Sequence, residues 1–214
     1  MKRYNISREE QKQHELSKFA RKQGNTINRK KQRSEHTLYI KKLFPSATKV
    51  LCLGCRHESE VIHFLDCGYS AVGLDYAGTD SDFVKIGDAH ELLSYFGENA
   101  FDIVYSSHSM EHMHDAELVL GNIRKVATMG AFIVLPAKPG LGKSHCSVFD
   151  IMSESIDPGI PGLNELKNSS LLEDFRRLKP YELTFFKYMD ELGPDSRFAA
   201  AGRKYAEFGL AFEW

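Results

Sequence analysis

The sequence predicts an α/β domain built on a doubly wound, mostly parallel β-sheet. Between residues 49 and 137, short apolar runs alternate with amphipathic stretches, and the connections between them are short. Several of these runs are apolar on successive residues, which is typical of strands buried on both faces. The chain has 214 residues, of which 42% are hydrophobic and 27% are charged. A chain of this length buries enough surface for one core without disulfide bonds or a structural metal.

Five strands and three helices are predicted in this part of the chain. The strands are VLCL at 50–53, AVGLD at 71–75, FVKI at 83–86, FDIVYS at 101–106 and AFIVLP at 131–136. The helices are 59–66, 90–96 and 115–127. Asp115 is the predicted N-cap of the third helix, and Gly68 and Gly130 are the predicted stops after the first and the third.

Charge divides the chain into a basic N-terminal segment and an acidic remainder. Residues 1–42 hold 13 Lys and Arg against 4 Glu, while the remainder holds 15 against 25 acidic residues, so +9 stands beside -10. With few apolar positions, residues 1–42 are predicted to be a loosely packed basic arm, helical or partly disordered. The arm could contact nucleic acid or another anionic surface, or it could lie against the acidic body.

The predicted domain spans residues 43–214, with its core at 49–137. Residues 138–214 are expected to add a loop, a helix and C-terminal strands beside the core. Gly, Pro and Ser interrupt the first part of this segment, where one helix is predicted at 171–178. Its aromatic end, YELTFFKY followed by YAEFGLAFEW, predicts two strands.

The four cysteines lack the spacing of a disulfide framework, which favours a reducing compartment and predicts a cytoplasmic protein. Cys52 and Cys55, followed by His57 and His63, could suggest a zinc site. Cys52 lies inside an apolar strand, however, and no second close pair completes four ligands, so no metal is expected. No run of about 18 apolar residues predicts a membrane span, and the first residues lack the apolar segment of a secretory signal.

Three residues follow predicted strands at the point where each strand ends. Gly54 lies in the turn after the first strand, where a ligand can approach the backbone, because ligands of open parallel sheets bind at the carboxyl ends of the strands. Asp75 ends the second strand and can accept hydrogen bonds from ribose hydroxyls. Asp88 closes the third strand, level with the exocyclic amine of an adenine. A nucleoside is therefore the expected ligand.

The composition of the first turn narrows the choice of nucleoside. A dinucleotide or a phosphate-binding loop needs glycines where this chain has Arg56 and Glu58, because a pyrophosphate must lie against bare backbone. S-adenosylmethionine carries no phosphate, and its amino-acid end is small and zwitterionic, so one close approach at Gly54 is enough. Arg56 could then pair with the carboxylate of this ligand.

Taken in order, these segments resemble the motifs of class I S-adenosylmethionine-dependent methyltransferases over about residues 49–137. VLCLGC resembles the first motif, AVGLDY the second, KIGDAHEL the third and FDIVYSSHSMEHMHD the fourth. LGNIRKVATMGAFIVL resembles the helix and fifth strand that complete the core. The resemblance implies a Rossmann-like, seven-stranded sheet whose last strand runs antiparallel.

The resemblance also implies a cofactor, S-adenosylmethionine, and a set of residues that contact it. The expected cofactor-binding residues are Gly54, Cys55 and Arg56 at the methionine end, Asp75 and Tyr76 at the ribose, Asp88 and Ala89 at the adenine, and Ser106 on the floor of the pocket.

Three positions depart from the family pattern. The family commonly has an acidic residue where Cys52 stands, and glycines at the positions of Arg56 and Glu58. The group that receives the ammonium of the cofactor is therefore open. Glu58, Ser106 or main-chain carbonyls could serve.

The densest cluster of titratable groups follows the fourth strand and contains His108, Glu111, His112 and His114. His108 and His112 are the candidate catalytic residues, because an imidazole here could remove a proton from an acceptor as the methyl group arrives. Alternatively, Glu111 and His112 only begin the following helix, and positioning of the reactants supplies the rate without a base.

Three functional hypotheses follow from the sequence. The leading one is methyl transfer to an oxygen, nitrogen or carbon of a small or medium-sized acceptor, held by residues 1–42 and 138–200. The second is an RNA or nucleoprotein methyltransferase that uses residues 1–42 as an electrostatic clamp. The third is a non-catalytic binding or scaffold module with a degenerate methyltransferase fold. The fourth strand lacks the Asn or Asp followed by Pro-Pro of amino-methylating DNA enzymes, and no pattern indicates the oligomeric state.

Overall fold

A computed structural model of the chain describes residues 2–3, 7–21, 29–55, 57–77, 80–136, 147–148, 182–191 and 205–214. Its helices are α1 (Arg8–Arg21), α2 (Arg29–Leu43), α3 (Glu58–Asp66), α4 (Leu92–Phe96) and α5 (Ala116–Val126). Its strands are β1 (Lys2–Arg3), β2 (Lys49–Leu53), β3 (Ser70–Asp75), β4 (Val84–Ile86), β5 (Phe101–Ser107), β6 (Ala127–Pro136), β7 (Ser147–Val148), β8 (Glu182–Glu191) and β9 (Tyr205–Glu213). Short 3-10 turns lie at Ala89–Glu91 and Met110–His112.

The main sheet has the strand order β4-β3-β2-β5-β6-β9-β8, and β1 pairs with β7 in a separate two-stranded ribbon. The strands from β4 to β6 are mutually parallel, whereas β9 is antiparallel to both β6 and β8. The predicted doubly wound, mostly parallel Rossmann-like fold is therefore confirmed. Leu53 lies opposite Leu74 on one side and Ser106 on the other, so three strands end at the same edge of the sheet.

Both faces of the sheet are buried under helices. Along β2, Leu51 and Leu53 face a core that includes α5. Val50 and Cys52 face the opposite core, which includes residues of α2 and α3. Since successive side chains of a strand point to opposite faces, a continuous apolar run such as VLCL supplies both cores at once.

The structure differs from the sequence prediction at the end of α5. Asp115 caps this helix as predicted, by accepting a hydrogen bond from the Leu118 N–H at 3.0 Å. The prediction that Gly130 ends the helix was wrong, because β6 begins at Ala127 directly after the helix and Gly130 pairs within the sheet. A Cβ at Gly130 would lie 2.1 Å from the Phe212 carbonyl oxygen. The helix predicted at 171–178 lies outside the described residues.

The second N-terminal helix is packed into the body, although a loosely packed arm was expected. Ile40 and Phe44 are buried and contribute to the core on the α3 face of the sheet. His36 and Thr37 are buried beside them, one turn earlier on the helix. The buried side of this segment is formed by residues four apart, His36, Ile40 and Phe44, whereas Leu38 is exposed. No helix among the described residues is long and apolar enough to cross a membrane.

Substitution of Gly130 by Ala tests the close approach of β6 and β9. We expect Gly130→Ala to lower the free energy of unfolding by about 2–4 kcal/mol, because the added methyl group meets a backbone oxygen and the Phe44 ring. The matched control is Gly121→Ala in α5, where no atom lies within 4 Å of the added Cβ. That change should stabilise the protein by up to about 1 kcal/mol through helix propensity. Urea unfolding measures both, and equal effects of the two substitutions would contradict this packing.

Candidate active site

The turn after β2 places backbone at the carboxyl edge of the sheet. Gly54 has a φ of +74°, in the left-handed region, and its N–H donates to the Leu74 carbonyl at 2.8 Å. A Cβ at Gly54 would lie 1.8 Å from Ser109 Oγ, so this glycine is required by a protein neighbour as well as by its backbone angle. Cys55 follows and is buried. Arg56 lies outside the described residues.

Asp75 ends β3 beside this turn. Its Oδ1 accepts a hydrogen bond from the Ala77 N–H at 2.7 Å, which holds the carboxylate in a fixed orientation. The Asp75 carbonyl accepts from the Gly87 N–H at 3.1 Å and ties the end of β4 to the same edge. Tyr76 comes next and is half-buried. The structure thus brings Gly54, Asp75 and the end of β4 together, as the order of the motifs predicted.

Asp88 lies at the expected edge, and its carboxylate is already bonded within the protein. Its Oδ1 accepts from the His90 N–H at 2.9 Å and lies 2.5 Å from His90 Nδ1. Its Oδ2 accepts from two nitrogens of Arg8 in α1, of which Nε lies at 3.1 Å. Burial alone would raise the pKa of Asp88, but the bonds from His90 and Arg8 outweigh it and hold that pKa well below its usual value. An adenine amine would share Oδ2 with Arg8 or displace it. Ala89 is buried beside Asp88.

Two buried polar atoms near the end of β5 have no hydrogen-bond partner among the residues that the structure describes. They are the hydroxyl oxygen of Ser106, which is fully buried, and Oε2 of Glu111. Unpartnered buried polar atoms are costly in a folded protein and often mark a ligand site. Ser106 pairs with Leu53 in register and so lies directly beside the Gly54 turn. These residues therefore fit a polar nucleoside ligand.

His108 joins a buried chain of hydrogen bonds that sequence analysis did not predict. Its φ is +51°, which is unusual for a non-glycine residue, and its Nε2 lies 2.6 Å from Glu207 Oε2. The other oxygen of Glu207 lies 2.7 Å from His36 Nε2, and His36 Nδ1 lies 2.8 Å from the Tyr105 hydroxyl. The chain links β5, β9 and α2 below the candidate site.

The charges of this chain indicate which nitrogen of His108 carries a proton. Burial would raise the pKa of Glu207, but the hydrogen bonds from His108 and His36 lower it to about 2. Burial would lower the pKa of His108, but the bond to Glu207 and the nearby Glu111 carboxylate raise it. An ionised Glu207 requires a proton on His108 Nε2, so Nδ1 is the nitrogen that can accept a proton from a substrate. The side chain of His108 is 33% exposed, and Nδ1 lies 3.8 Å from Glu111 Oε1.

His112, the second candidate base, is held by the N-terminal helix. Its Nδ1 lies 3.4 Å from Oε1 of Glu15, and its backbone carbonyl accepts a hydrogen bond from the side chain of Gln11. Gln11 and Glu15 are both buried. Helix α1 therefore packs over the turn that contains His112, and Arg8 of the same helix reaches Asp88.

Glu60 is a further buried acid that sequence analysis missed. It is the third residue of α3 and is 8% exposed, and its Oε1 has no hydrogen-bond partner within the described part of the chain. Burial raises the pKa of Glu60 to about 8; Arg33 and Arg29 oppose this rise, and Asp75 adds to it. The spacing could have found it, because Glu60 precedes the buried Phe64 by one helical turn. Glu207 could have been found in a similar way, because it shares one face of β9 with the buried small residues Gly209 and Ala211.

Comparison with known families identifies the central part of the chain. Residues 51–135 match the family model described as a methyltransferase domain. Over these residues the chain is similar to a methyltransferase domain. This confirms the resemblance of the motifs, and the matched residues contain Gly54, Asp75, Ser106 and His108. Comparison with the curated proteins gives no match.

Solved structures of similar proteins extend the likeness in fold beyond the matched domain. A chain in the complex between the Haloferax volcanii Trm112 methyltransferase activator and a methyltransferase has a TM-score of 0.63 at 13% identity, covering 97% of each chain. A methyltransferase from Archaeoglobus fulgidus has a TM-score of 0.55 at 16% identity, covering 87% of this chain and 94% of that chain. The [4+2]-cyclase SpnF has a TM-score of 0.56 at 14% identity, covering 85% of this chain and 80% of that chain. At these identities the likeness shows the fold alone.

Replacing Glu207 by Gln tests the buried hydrogen-bond chain. We expect Glu207→Gln to lower the free energy of unfolding by about 2–4 kcal/mol at pH 7, because the buried His36 and the half-buried His108 lose their ionised partner. The pKa of His108 should fall, as followed by NMR titration of the imidazole protons.

The pKa of Glu207 is lowered from 4.5 to about 2. Its contribution to the free energy of unfolding is therefore present above pH 4.5 and is lost as the pH falls through about 2. Glu213→Gln, on the exposed end of β9, is the control. An unchanged His108 pKa in Glu207→Gln would contradict the assignment.

Replacing Glu60 by Gln tests whether the buried acid destabilises the fold. The folded pKa of about 8 lies above the unfolded value of 4.5, so the stability of the wild-type protein falls as the pH rises through that window. Glu60→Gln should therefore be more stable than the wild type at pH 8, by about 2–4 kcal/mol, with a smaller difference at pH 5. Urea unfolding at both pH values measures this, with Asp66→Asn at the exposed end of α3 as the control. A difference that does not change with pH would show that Glu60 is not a strained acid.

Proposed function

We propose that the protein transfers the methyl group of S-adenosylmethionine to a small or medium-sized acceptor. One observation carries the proposal: Gly54, Asp75 and the unpartnered Ser106 hydroxyl lie at one carboxyl edge of the sheet, within a methyltransferase domain. Ligands of open α/β sheets bind at that edge. In this arrangement, one adenosine-containing ligand can contact both the turn after β2 and Asp75 at the end of β3.

Each part of the proposed pocket has a distinct role. Gly54 and Cys55 would hold the methionine end, with Arg56 as the proposed partner of its carboxylate. Asp75, with Tyr76 beside it, would accept the ribose hydroxyls, whereas Asp88 and the backbone of Ala89 would meet the adenine edge. When bound, S-adenosylmethionine supplies a methyl group already activated by its sulfonium centre. The protein then has to bind, orient and, for some acceptors, remove a proton.

His108 is the proposed proton acceptor. Glu207 orients its ring and holds the proton on Nε2, which leaves Nδ1 for an acceptor hydroxyl or amine. Because the pKa of His108 is raised, the fraction of neutral base increases with pH above the ordinary histidine range. His112 is a weaker candidate, since Glu15 of α1 lies 3.4 Å from its Nδ1.

The packing of α2 favours a small acceptor over a nucleic acid. Ile40 and Phe44 anchor α2 in the core, and the guanidinium of Arg33 donates to Ser59 of α3 at 3.0 Å. Part of the basic segment is thus used within the fold, which leaves less of it for the electrostatic clamp of the RNA hypothesis. The cytoplasm stays the predicted location on the cysteine pattern; Cys52, Cys55 and Cys67 are free thiols in the structure.

Calorimetric titration of the purified protein with S-adenosylmethionine separates this function from a non-catalytic scaffold. Micromolar binding is the expected result. Because the fold also serves a [4+2]-cyclase, methyl transfer itself must be followed with labelled cofactor and candidate hydroxyl or amine acceptors. A protein that binds neither S-adenosylmethionine nor S-adenosylhomocysteine would overturn the proposed function.

Asp75→Asn tests the ribose contact within this pocket. The amide keeps an oxygen for the Ala77 N–H but replaces the second carboxylate oxygen with a donor, which cannot accept from a ribose hydroxyl. We expect the affinity for S-adenosylmethionine to fall by about 1–3 kcal/mol, or about 5- to 150-fold. Asp82→Asn, an exposed aspartate before β4, should bind like the wild type. If both variants bind equally well, the ribose is held elsewhere.

A further inference from the structure

Glu60 occupies an unusual position for an acidic side chain. It is 8% exposed, and among the described residues no group donates a hydrogen bond to its Oε1. The guanidinium of Arg33 donates to Ser59 Oγ instead, and Arg33 acts on Glu60 only at longer range. A buried carboxylate oxygen without a donor costs stability, and a ligand that supplies the donor removes that cost.

Glu60 lies in the first turn of α3, directly after the turn that follows β2. Its N–H donates a hydrogen bond to the His57 carbonyl at 3.4 Å, in the segment that leads from Cys55 into the helix. Burial raises the pKa of the Cys52 and Cys55 thiols, and the charge of Glu60 raises both further. The acid thus belongs to the segment that leaves the carboxyl end of β2, where the proposed pocket begins.

The first motif of this chain lacks the acidic residue of the family pattern, and Glu60 can take the role of that residue. Cys52 stands where related chains commonly have an acid, and a thiol whose pKa is raised by burial carries no charge to receive an ammonium. Glu58, proposed from the sequence, lies at the half-exposed start of α3, and Ser106 has only a neutral hydroxyl. Glu111 also has a buried oxygen without a donor among the described residues, but its other oxygen lies 3.8 Å from His108 Nδ1 and 3.9 Å from His112 Nε2, beyond β5. Glu60 is the buried acid with such an oxygen in the segment that directly follows the Gly54 turn.

We propose that Glu60 receives the ammonium of the amino-acid end of the cofactor, in place of the acid that Cys52 replaces. The inference rests on the proposed function, because it requires that the pocket binds S-adenosylmethionine or its demethylated product. The ammonium supplies the donor that Glu60 lacks, and the charge-assisted hydrogen bond forms in a site shielded from water.

Formation of this ion pair changes the protonation of Glu60. Without ligand, Glu60 is mostly protonated at pH 7, because its pKa is about 8. An arriving ammonium favours the carboxylate, so the acid releases its proton to the solvent while the ion pair forms. The charged groups that act on this equilibrium are Arg29 and Arg33 of α2 and Asp75 of β3. The thiols of Cys52 and Cys55 and the hydroxyl of Tyr105 are the neutral titratable groups around it.

The test compares two ligands that differ only at the amino-acid end. S-adenosylhomocysteine carries the ammonium and the carboxylate, whereas methylthioadenosine has the same nucleoside and thioether and lacks both charged groups. Isothermal titration at pH 7, in buffers of different ionisation enthalpy, gives affinity and proton release together. For the wild-type protein we expect release of nearly one proton with S-adenosylhomocysteine and none with methylthioadenosine. This comparison needs no variant and so does not depend on how a substitution folds.

Substitution of Glu60 then assigns the effect to one side chain. Glu60→Gln should bind S-adenosylhomocysteine about tenfold more weakly without proton release, and should bind methylthioadenosine like the wild type. Glu60→Asp should keep the proton release, and Asp66→Asn should match the wild type with both ligands. Equal affinity of Glu60→Gln and the wild type for S-adenosylhomocysteine would overturn the inference, as would a loss seen in Glu58→Gln alone. A wild-type protein that binds neither ligand would instead overturn the proposed function, and the inference with it.

Discussion

The candidate site depends on the parallel pairing of β2 with β3 on one side and β5 on the other. This register sets Leu53 opposite both Leu74 and Ser106, so the chain leaves all three strands at one edge. The Gly54 N–H bonded to the Leu74 carbonyl continues the β2–β3 pairing into the turn. Since the strands are buried on both faces, the register cannot slip by one residue without exchanging the two cores. The packing of the sheet therefore holds the groups of the pocket in place.

Two buried acids on the α2 and α3 side of the sheet have opposite environments. Glu207 is held by two histidines, which lower its pKa to about 2, and it joins β9 to α2 and to the end of β5. Glu60 has an oxygen without a donor, and burial raises its pKa to about 8. A buried carboxylate whose hydrogen bonds are all made stabilises and orients its partners. A buried carboxyl that lacks a donor is stabilised when a ligand supplies one. The first arrangement suits a residue that positions His108, and the second suits a residue that binds.

The N-terminal helices complete the site from outside the strand-helix core. Helix α2 supplies His36 to the buried chain, and α1 brings Arg8 to Asp88 and Glu15 to His112. The basic character of this segment therefore has a partly internal explanation, because Arg8 and Arg33 are directed to groups of the body. Charge counting along the chain could not distinguish these residues from solvated ones, since pairing depends on which face of each helix meets the domain.

The local sequence pattern was sufficient to predict the strands, the capping of α5 by Asp115, and the order of Gly54, Asp75 and Asp88 along one edge. These features depend on residues that are neighbours in the chain, because strands buried on two faces are continuously apolar and helices repeat their apolar residues at a fixed spacing. Sequence analysis failed at Gly130, where an approach of β9 decides the residue and no neighbour in the chain signals it. It also missed Glu207, which meets His36 across 171 positions of the chain and His108 across 99. The protonation of His108 and the burial of Glu60 likewise follow from groups that only the folded chain assembles. The sequence by itself therefore determined the strand pattern and the motifs, whereas tertiary structure decided the electrostatics of the site, because a pKa depends on desolvation and on charges brought close in space.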